Sequence, residues 1–209
     1  MDYNTLEIYN DIQTMKPKYD NFGDNMYWAW ACWQMLWTYG KMGKTSFDKV
    51  FYMMRSKRFK QYQNEEFEIH DLYELNKGKL RMGDYCCYCG AEVPKDELTA
   101  DHVFPRAKGG SNDLNNIIFV CKNCNSSKGK KELLEWILLT RKKFPRPFVL
   151  GHYYRQIYLY AKENDLLNKS FAEVEQMVLP FNPRSLLFMH TKPAHRAYLD
   201  YITSYYNDN

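Results

Sequence analysis

Four cysteines in two Cys-x2-Cys pairs constrain this chain more than anything else in it. Cys86 and Cys89 form the first pair, Cys121 and Cys124 the second, with 31 residues between them. A tight turn of this kind aims two thiolates at one point, and two such turns complete the tetrahedral shell that zinc prefers. In a chain read as cytosolic, paired knuckles point to metal ligation rather than to disulfides. Four thiolates leave no position for water, so this Zn²⁺ is expected to be structural. Cys87 is an alternative to Cys86, but the spacing of the second knuckle favours Cys86. Cys32 lies in a Trp-rich run and reads as a small buried hydrophobe.

The interval between the knuckles carries chemistry-bearing residues. It reads Leu98-Thr99-Ala100-Asp101-His102-Val103-Phe104-Pro105, then Gly109-Gly110, then Asn115-Asn116-Ile117-Ile118-Phe119-Val120. Two strand-like runs joined by a connection marked with Pro and Gly predict a hairpin with a wide loop. The second knuckle follows, and a helix is expected to begin at Asn125. Strand, strand and helix with metal-capable residues at their ends form a compact ββα arrangement.

With Cys86-x2-Cys89-Gly90, Asp101-His102-x2-Pro105, Gly109-Gly110, Asn116 and Cys121-x2-Cys124-Asn125-x2-Lys128 in this order, the stretch from Tyr85 to Lys130 resembles the HNH endonuclease family. The resemblance is to its cysteine-knuckle subgroup with the ββα-metal fold, and it covers less than a quarter of the chain. It implies that Asp101 ligates the catalytic metal and that His102 is the general base. It also implies that Asn116 orients the histidine by bonding across the loop between the strands, and that Asn125 is the second metal ligand, where many members have His. Two hard oxygen ligands suit Mg²⁺ or Mn²⁺. An imidazole, ordinarily titrating at about pH 6.5, suits removal of a proton from water. Lys128, one helical turn beyond Asn125, is placed to hold a phosphate oxygen. Arg106, Lys108, Lys122, Lys130 and Lys131 are the further candidates for phosphate contact.

The charge pattern agrees with an anionic substrate. Between Cys121 and Arg146 eight cations stand against two carboxylates, a surplus of six in a chain of net charge +4. A basic patch on a nearly neutral protein is what a phosphate backbone asks for, although a solvated helix face has the same composition.

The remainder reads as helical. Helices are expected over Leu6 to Met15, Met26 to Tyr39, Phe47 to Gln61 and Glu65 to Asn76. Others follow over Ser126 to Lys143 (ending at Pro145 and Pro147), Tyr153 to Leu167, Ser170 to Val178 and Ala194 to Tyr205. Ser170 and Glu173 have capping-box spacing. Trp30, Trp33 and Trp37 recur at helical spacing in a run apolar on most faces, as a buried helix requires. The Phe47–Gln61 stretch interleaves Arg55, Lys57, Arg58 and Lys60 with Phe51, Tyr52 and Phe59, a pattern shared by backbone-binding and merely solvated faces. His70, His152, His190 and His195 read as partly exposed structural histidines.

The expected fold is therefore α+β: an HNH ββα-metal module over 83–144, embedded between helical regions over 1–82 and 145–209. The expected function is hydrolysis of phosphodiester bonds in DNA, with RNA left open, by one metal and a histidine base. The setting would be restriction or anti-phage defence, or phage or mobile-element DNA processing. A zinc-finger-like module that binds nucleic acid without cutting it is the alternative. The flanks are expected to set specificity, or to meet a protein partner or a second copy of the chain. The most apolar run, Met26 to Trp37, is short of the roughly 20 residues of a membrane span. No secretory leader is evident, which gives the expectation of a cytoplasmic protein of a bacterial or phage-infected cell.

Overall fold

The computed structural model describes residues 4–69 and 84–207. Helix α1 (Thr5–Thr14) starts where the Asn4 side chain accepts the Glu7 amide, and the Thr5 hydroxyl donates to the buried carbonyl of Leu138 at 2.8 Å. Helix α2 (Phe22–Lys41) begins four residues before the expected Met26. Asn21 caps it by accepting the Asp24 amide, and Phe22 itself is fully buried. Fifteen of its 20 residues are buried, so it is the axis of the core rather than a surface helix. The rings of Trp30, Trp33 and Trp37 follow one another at 4.5 and 5.2 Å.

Helix α3 (Lys49–Gln63) is set by Asp48, whose carboxylate accepts the Phe51 amide at 2.8 Å. The chain then turns, with Glu65 at a φ of 58°. The helix expected from Glu65 therefore does not start there; its continuation to Asn76, and His70, lie outside the described residues.

Strands β1 (Leu98–His102) and β2 (Ile117–Cys121) pair antiparallel, Leu98 opposite Cys121 and His102 opposite Ile117. Helix α4 (Lys122–Lys128) leaves β2 directly. The single helix expected over Ser126 to Lys143 is instead broken. Gly129, at φ 50° and ψ −125°, stops α4; a short turn at Leu133–Glu135 then runs into a π-helical segment, Trp136–Thr140, ended by Lys142 at φ 51°.

Helix α5 (Pro147–Glu163) has proline in its first turn, where the missing N–H costs nothing. Pro147 thus opens a helix instead of closing one. Helix α6 (Phe171–Glu175) carries the expected Ser170–Glu173 capping box. A 3₁₀ segment, Pro183–His190, which the sequence pattern did not suggest, precedes helix α7 (Lys192–Asn207).

These elements share one buried cluster that draws on all three sequence regions. Phe104 of the hairpin loop packs on Phe181 at 5.3 Å and on Tyr153 of α5 at 5.9 Å. Each such ring taken out of water contributes about 1.5–3 kcal/mol. Among the described residues no helix is long and apolar enough to cross a membrane.

Candidate active site and metal centres

The first knuckle is shaped by its own backbone: the Gly90 amide donates to the Cys86 carbonyl and the Cys86 amide to that of Ala91, both at 2.8 Å. The Cys87 amide donates to Phe119 of β2, which brings the first knuckle beside the second. The sulfurs of Cys86, Cys89, Cys121 and Cys124 lie within 4.8 Å of one another, and Cys89 and Cys121 are 4.0 Å apart. Zn–S bonds of about 2.3 Å give tetrahedral edges of about 3.8 Å, so the donor set fits zinc. The thiols are too close to keep independent protons. A hydrogen bond with Cys124 draws Cys86 down to about 4, and the same bond, with burial, pushes Cys124 far up. Cys86, not Cys87, belongs to the cluster. Cys87 is buried, and burial pushes its thiol up to about 11; Cys32 behaves likewise at about 12.

The second constellation sits at the end of the hairpin. Asp101 is buried, and both groups that bond its carboxylate reach Oδ2: the Tyr88 hydroxyl donates at 2.6 Å and Lys128 Nζ lies at 2.9 Å. Oδ1 is the oxygen that remains for an ion. Asn125 is inside α4 rather than at its start, and its Nδ2 donates to Thr99 Oγ1 at 3.0 Å and to the Ala100 carbonyl at 3.2 Å. Its Oδ1 is thereby the atom left for a ligand role. Two hard oxygens from two elements fit a Mg²⁺-type ion.

His102 is half-buried, and its Nε2 lies 3.0 Å from Asn112 Oδ1. That oxygen only accepts, so in the neutral tautomer that makes this bond Nε2 carries the hydrogen and Nδ1 the lone pair. Asn116 does not reach the histidine. It is buried in the loop, where its Oδ1 accepts the Phe104 amide at 2.7 Å and its Nδ2 donates to the carbonyls of Phe104 and Ser111, each at 2.9 Å. The loop it fastens also carries Asn112, the residue that meets His102 Nε2. Gly110 permits this closure, since a Cβ there would stand 1.9 Å from the Phe104 carbonyl oxygen.

Lys128 departs furthest from expectation. Its side chain is fully buried, and Nζ donates to the His102 carbonyl at 2.7 Å besides pairing with Asp101. Burial lowers its pKa and the Asp101 charge opposes that. An ammonium so enclosed does not reach a phosphate; it braces the Asp101-His102 corner. Of the other cations, Arg106 and Lys130 share a depression of about 150 Å³ with Asp101, His102 and Pro105. Lys108, Lys122 and Lys131 are exposed, and Lys131 Nζ donates to Ser127 O. Arg141, Lys142, Lys143 and Arg146 line a separate groove of about 850 Å³ beside Cys89. Arg146 there also donates to the Cys86 and Cys87 carbonyls.

His152 and His195 are buried, not partly exposed. Two groups that touch the site escaped sequence reasoning. Tyr88 hides between two zinc ligands, and Asn112 is one of several polar residues in a loop where spacing singles out none.

Residues 86–134 match a family model described as HNH endonuclease, which bears out the resemblance read over Tyr85 to Lys130. Among curated proteins, the CRISPR-associated endonuclease Cas9 of Corynebacterium diphtheriae is 37% identical over 57 residues, 27% of this chain and 5% of that protein. The protein of the same name from Actinomyces naeslundii is 34% identical over 67 residues, 32% of this chain and 6% of that protein. The chain thus spans only about a twentieth of the length of these relatives. No solved structure matches significantly.

Proposed function

We propose that this chain is an HNH-type endonuclease that hydrolyses phosphodiester bonds of DNA with one divalent ion and His102 as general base. The observation that carries the reading is the corner at the end of β1. There His102 is held by Asn112 so that Nδ1 is basic, beside a carboxylate whose Oδ2 is occupied and whose Oδ1 is spare. Asp101 and Asn125 would hold the ion through their Oδ1 atoms, and Mg²⁺ or Mn²⁺ would supply Lewis-acid stabilisation of the scissile phosphate and its leaving oxygen. Nδ1 takes a proton from water, whose oxygen bonds to phosphorus. The P–O3′ bond breaks, and the 3′ oxygen takes its proton from solvent, leaving 5′-phosphate and 3′-hydroxyl ends. Arg106 and Lys130 bind the phosphates next to the cut. The basic groove of Arg141 to Arg146 carries the flanking strand. The family match and the word endonuclease in both relatives' names support this reading. Restriction, defence or mobile-element processing is the setting we infer.

Plasmid nicking with Mg²⁺ tests it. His102→Ala should lower the rate by about 10²–10⁴-fold while leaving DNA binding and melting temperature unchanged. Equal nicking by the variant sinks the base assignment. DNA binding with no Mg²⁺- or Mn²⁺-dependent cleavage by the native chain means a zinc-finger-like binding module instead.

A further inference from the structure

Of the interleaved cations and rings of α3, Phe51, Tyr52 and Arg55 line a cavity away from the hairpin. This cavity, of about 400 Å³, is bounded by the turn before α2, by α3 and by the start of α7. Four cations from these three places converge on it: Lys18, Arg55, Lys192 and Arg196. No carboxylate is among its described lining residues. Arg196 has Asp200 as an ion partner at 3.6 Å. Among the described residues Lys18 and Arg55 have none; they crowd the same indole, with Lys18 Nζ 3.2 Å and the Arg55 guanidinium carbon 4.3 Å from the Trp28 ring centre. Arg55 Nε is buried and makes no hydrogen bond. Burial, and then the neighbouring Arg55 charge, lower the Lys18 pKa, with the buried Cys32 opposing the shift.

A second set of groups points to what the anion carries. The guanidinium of Arg55 lies 5.2 Å from the ring centre of Tyr52, a ring that is 44% exposed and stands at the cavity wall. Phe47 completes an aromatic side. His190 and His195 also line the cavity, and burial holds both imidazoles well below their usual titration, at about 3 and about 4, so they present neutral rings. Cations for a phosphate beside rings for a base are the elements of nucleotide recognition, and the volume falls in the range of about 300–1,000 Å³ usual for small-ligand sites.

We propose that this cavity is a binding site for a small nucleotide, with its phosphate held by Arg55 and Lys192 and its base against Tyr52. Among the described residues the site shares no lining with the Asp101-His102 depression, and its occupancy does not depend on cleavage. Either reading can therefore fail alone.

Calorimetric titration of the full, zinc-loaded chain without added Mg²⁺ tests the proposal, using adenosine 5′-monophosphate, inorganic phosphate, adenosine and a single-stranded oligonucleotide as separate probes. The nucleotide should bind, and phosphate or adenosine alone should bind at least about tenfold more weakly, because each engages half of the site. Arg55→Gln and Lys192→Glu should each weaken the nucleotide by about tenfold or more, whereas the Arg106→Ala/Lys130→Ala double variant should bind as the native chain does. Lys192 is exposed, so its variant keeps the test meaningful if Arg55→Gln does not fold. No nucleotide binding overturns the proposal, as does binding that survives Lys192→Glu or is lost in the Arg106/Lys130 variant. Phosphate binding as tightly as the nucleotide overturns the role of the rings. An oligonucleotide displacing the nucleotide at far lower concentration shows a strand-binding surface instead.

Discussion

The hairpin module and its helical surroundings are held by opposite means. Around the active corner the fixing contacts are thiolates, a loop-fastening asparagine and a buried Lys128–Asp101 pair, spread over the first knuckle, two strands of five residues, the loop between them and a helix of seven. In the surroundings they are rings: Trp30 on Trp33, Phe22 near Phe171, Phe144 edge-on to Tyr198. Apolar packing is strong but non-directional, and it cannot leave a chosen carboxylate oxygen or imidazole nitrogen uncommitted. Coordination and hydrogen bonds are directional, so they can hold a reactive atom at a set position with its lone pair spare. Chemistry therefore belongs to the polar region, and the aromatic region supplies the rigid wall behind it.

Removing the zinc should have the largest effect on this contrast. Zinc binding in such frames contributes on the order of 10–16 kcal/mol to folding. Cys121→Ser or Cys124→Ser should therefore abolish cleavage and zinc retention, measured as about one ion per native chain. The helical circular-dichroism signal should largely survive. Loss of that signal in one cooperative step would break the contrast, making the two regions a single unit.

Next is the buried pair. Lys128→Met leaves the Asp101 charge alone in the interior and should cost about 3–5 kcal/mol in denaturant unfolding without divalent ions. Adding Asp101→Asn should recover much of that, while a silent Lys128→Met would show the ammonium to be expendable.

A smaller effect is expected at Asn112. Asn112→Ala frees the imidazole to change tautomer and should slow cleavage by about tenfold, with an altered pH–rate profile and an unchanged melting temperature. An unshifted profile would remove its positioning role.

The last effect, spread over acid pH, belongs to the aromatic region. Burial takes His195 from its ordinary 6.5 to about 4. Between those values the unfolded chain binds a proton that the folded chain refuses, so stability falls as pH drops through that window, by up to about 1.4 kcal/mol per unit. His195→Gln should flatten that slope in thermal melts, with zinc retention followed in the same samples; an unchanged slope would refute it.

What the sequence made legible follows the same division. The four-cysteine cluster and the two strands could be read because knuckle spacing and apolar runs are local signals. Pro147 reads in the sequence as a stop, yet a proline begins helices as well as ending them; in the fold it opens α5, and its carbonyl accepts from Trp33 Nε1 at 3.0 Å. Lys128 was placed on the correct helix, but spacing says nothing about whether a long side chain turns inward. Asn125 lies within its helix because α4 starts at the knuckle itself, three residues before it. Tyr88 and Asn112 take partners 13 and 10 residues away, a choice made by the folded loop and not by any nearby pattern.

Glu132 lies inside the segment that matches the family model. It is buried; Oε1 accepts from the Tyr153 hydroxyl of α5 and from the Ser185 hydroxyl at 3.3 Å, and Oε2 from the Glu135 amide at 2.8 Å. Burial raises its pKa. The boundary of the homologous segment is thus not a seam along which the molecule comes apart. A chimera that moved residues 86–134 into another host would strand this acid without its two hydroxyl donors, at a cost of about 1–3 kcal/mol or more for each unmet polar group. The nuclease segment is a transplant with a tissue type, accepted only where a recipient offers the equivalents of Tyr153 and Ser185.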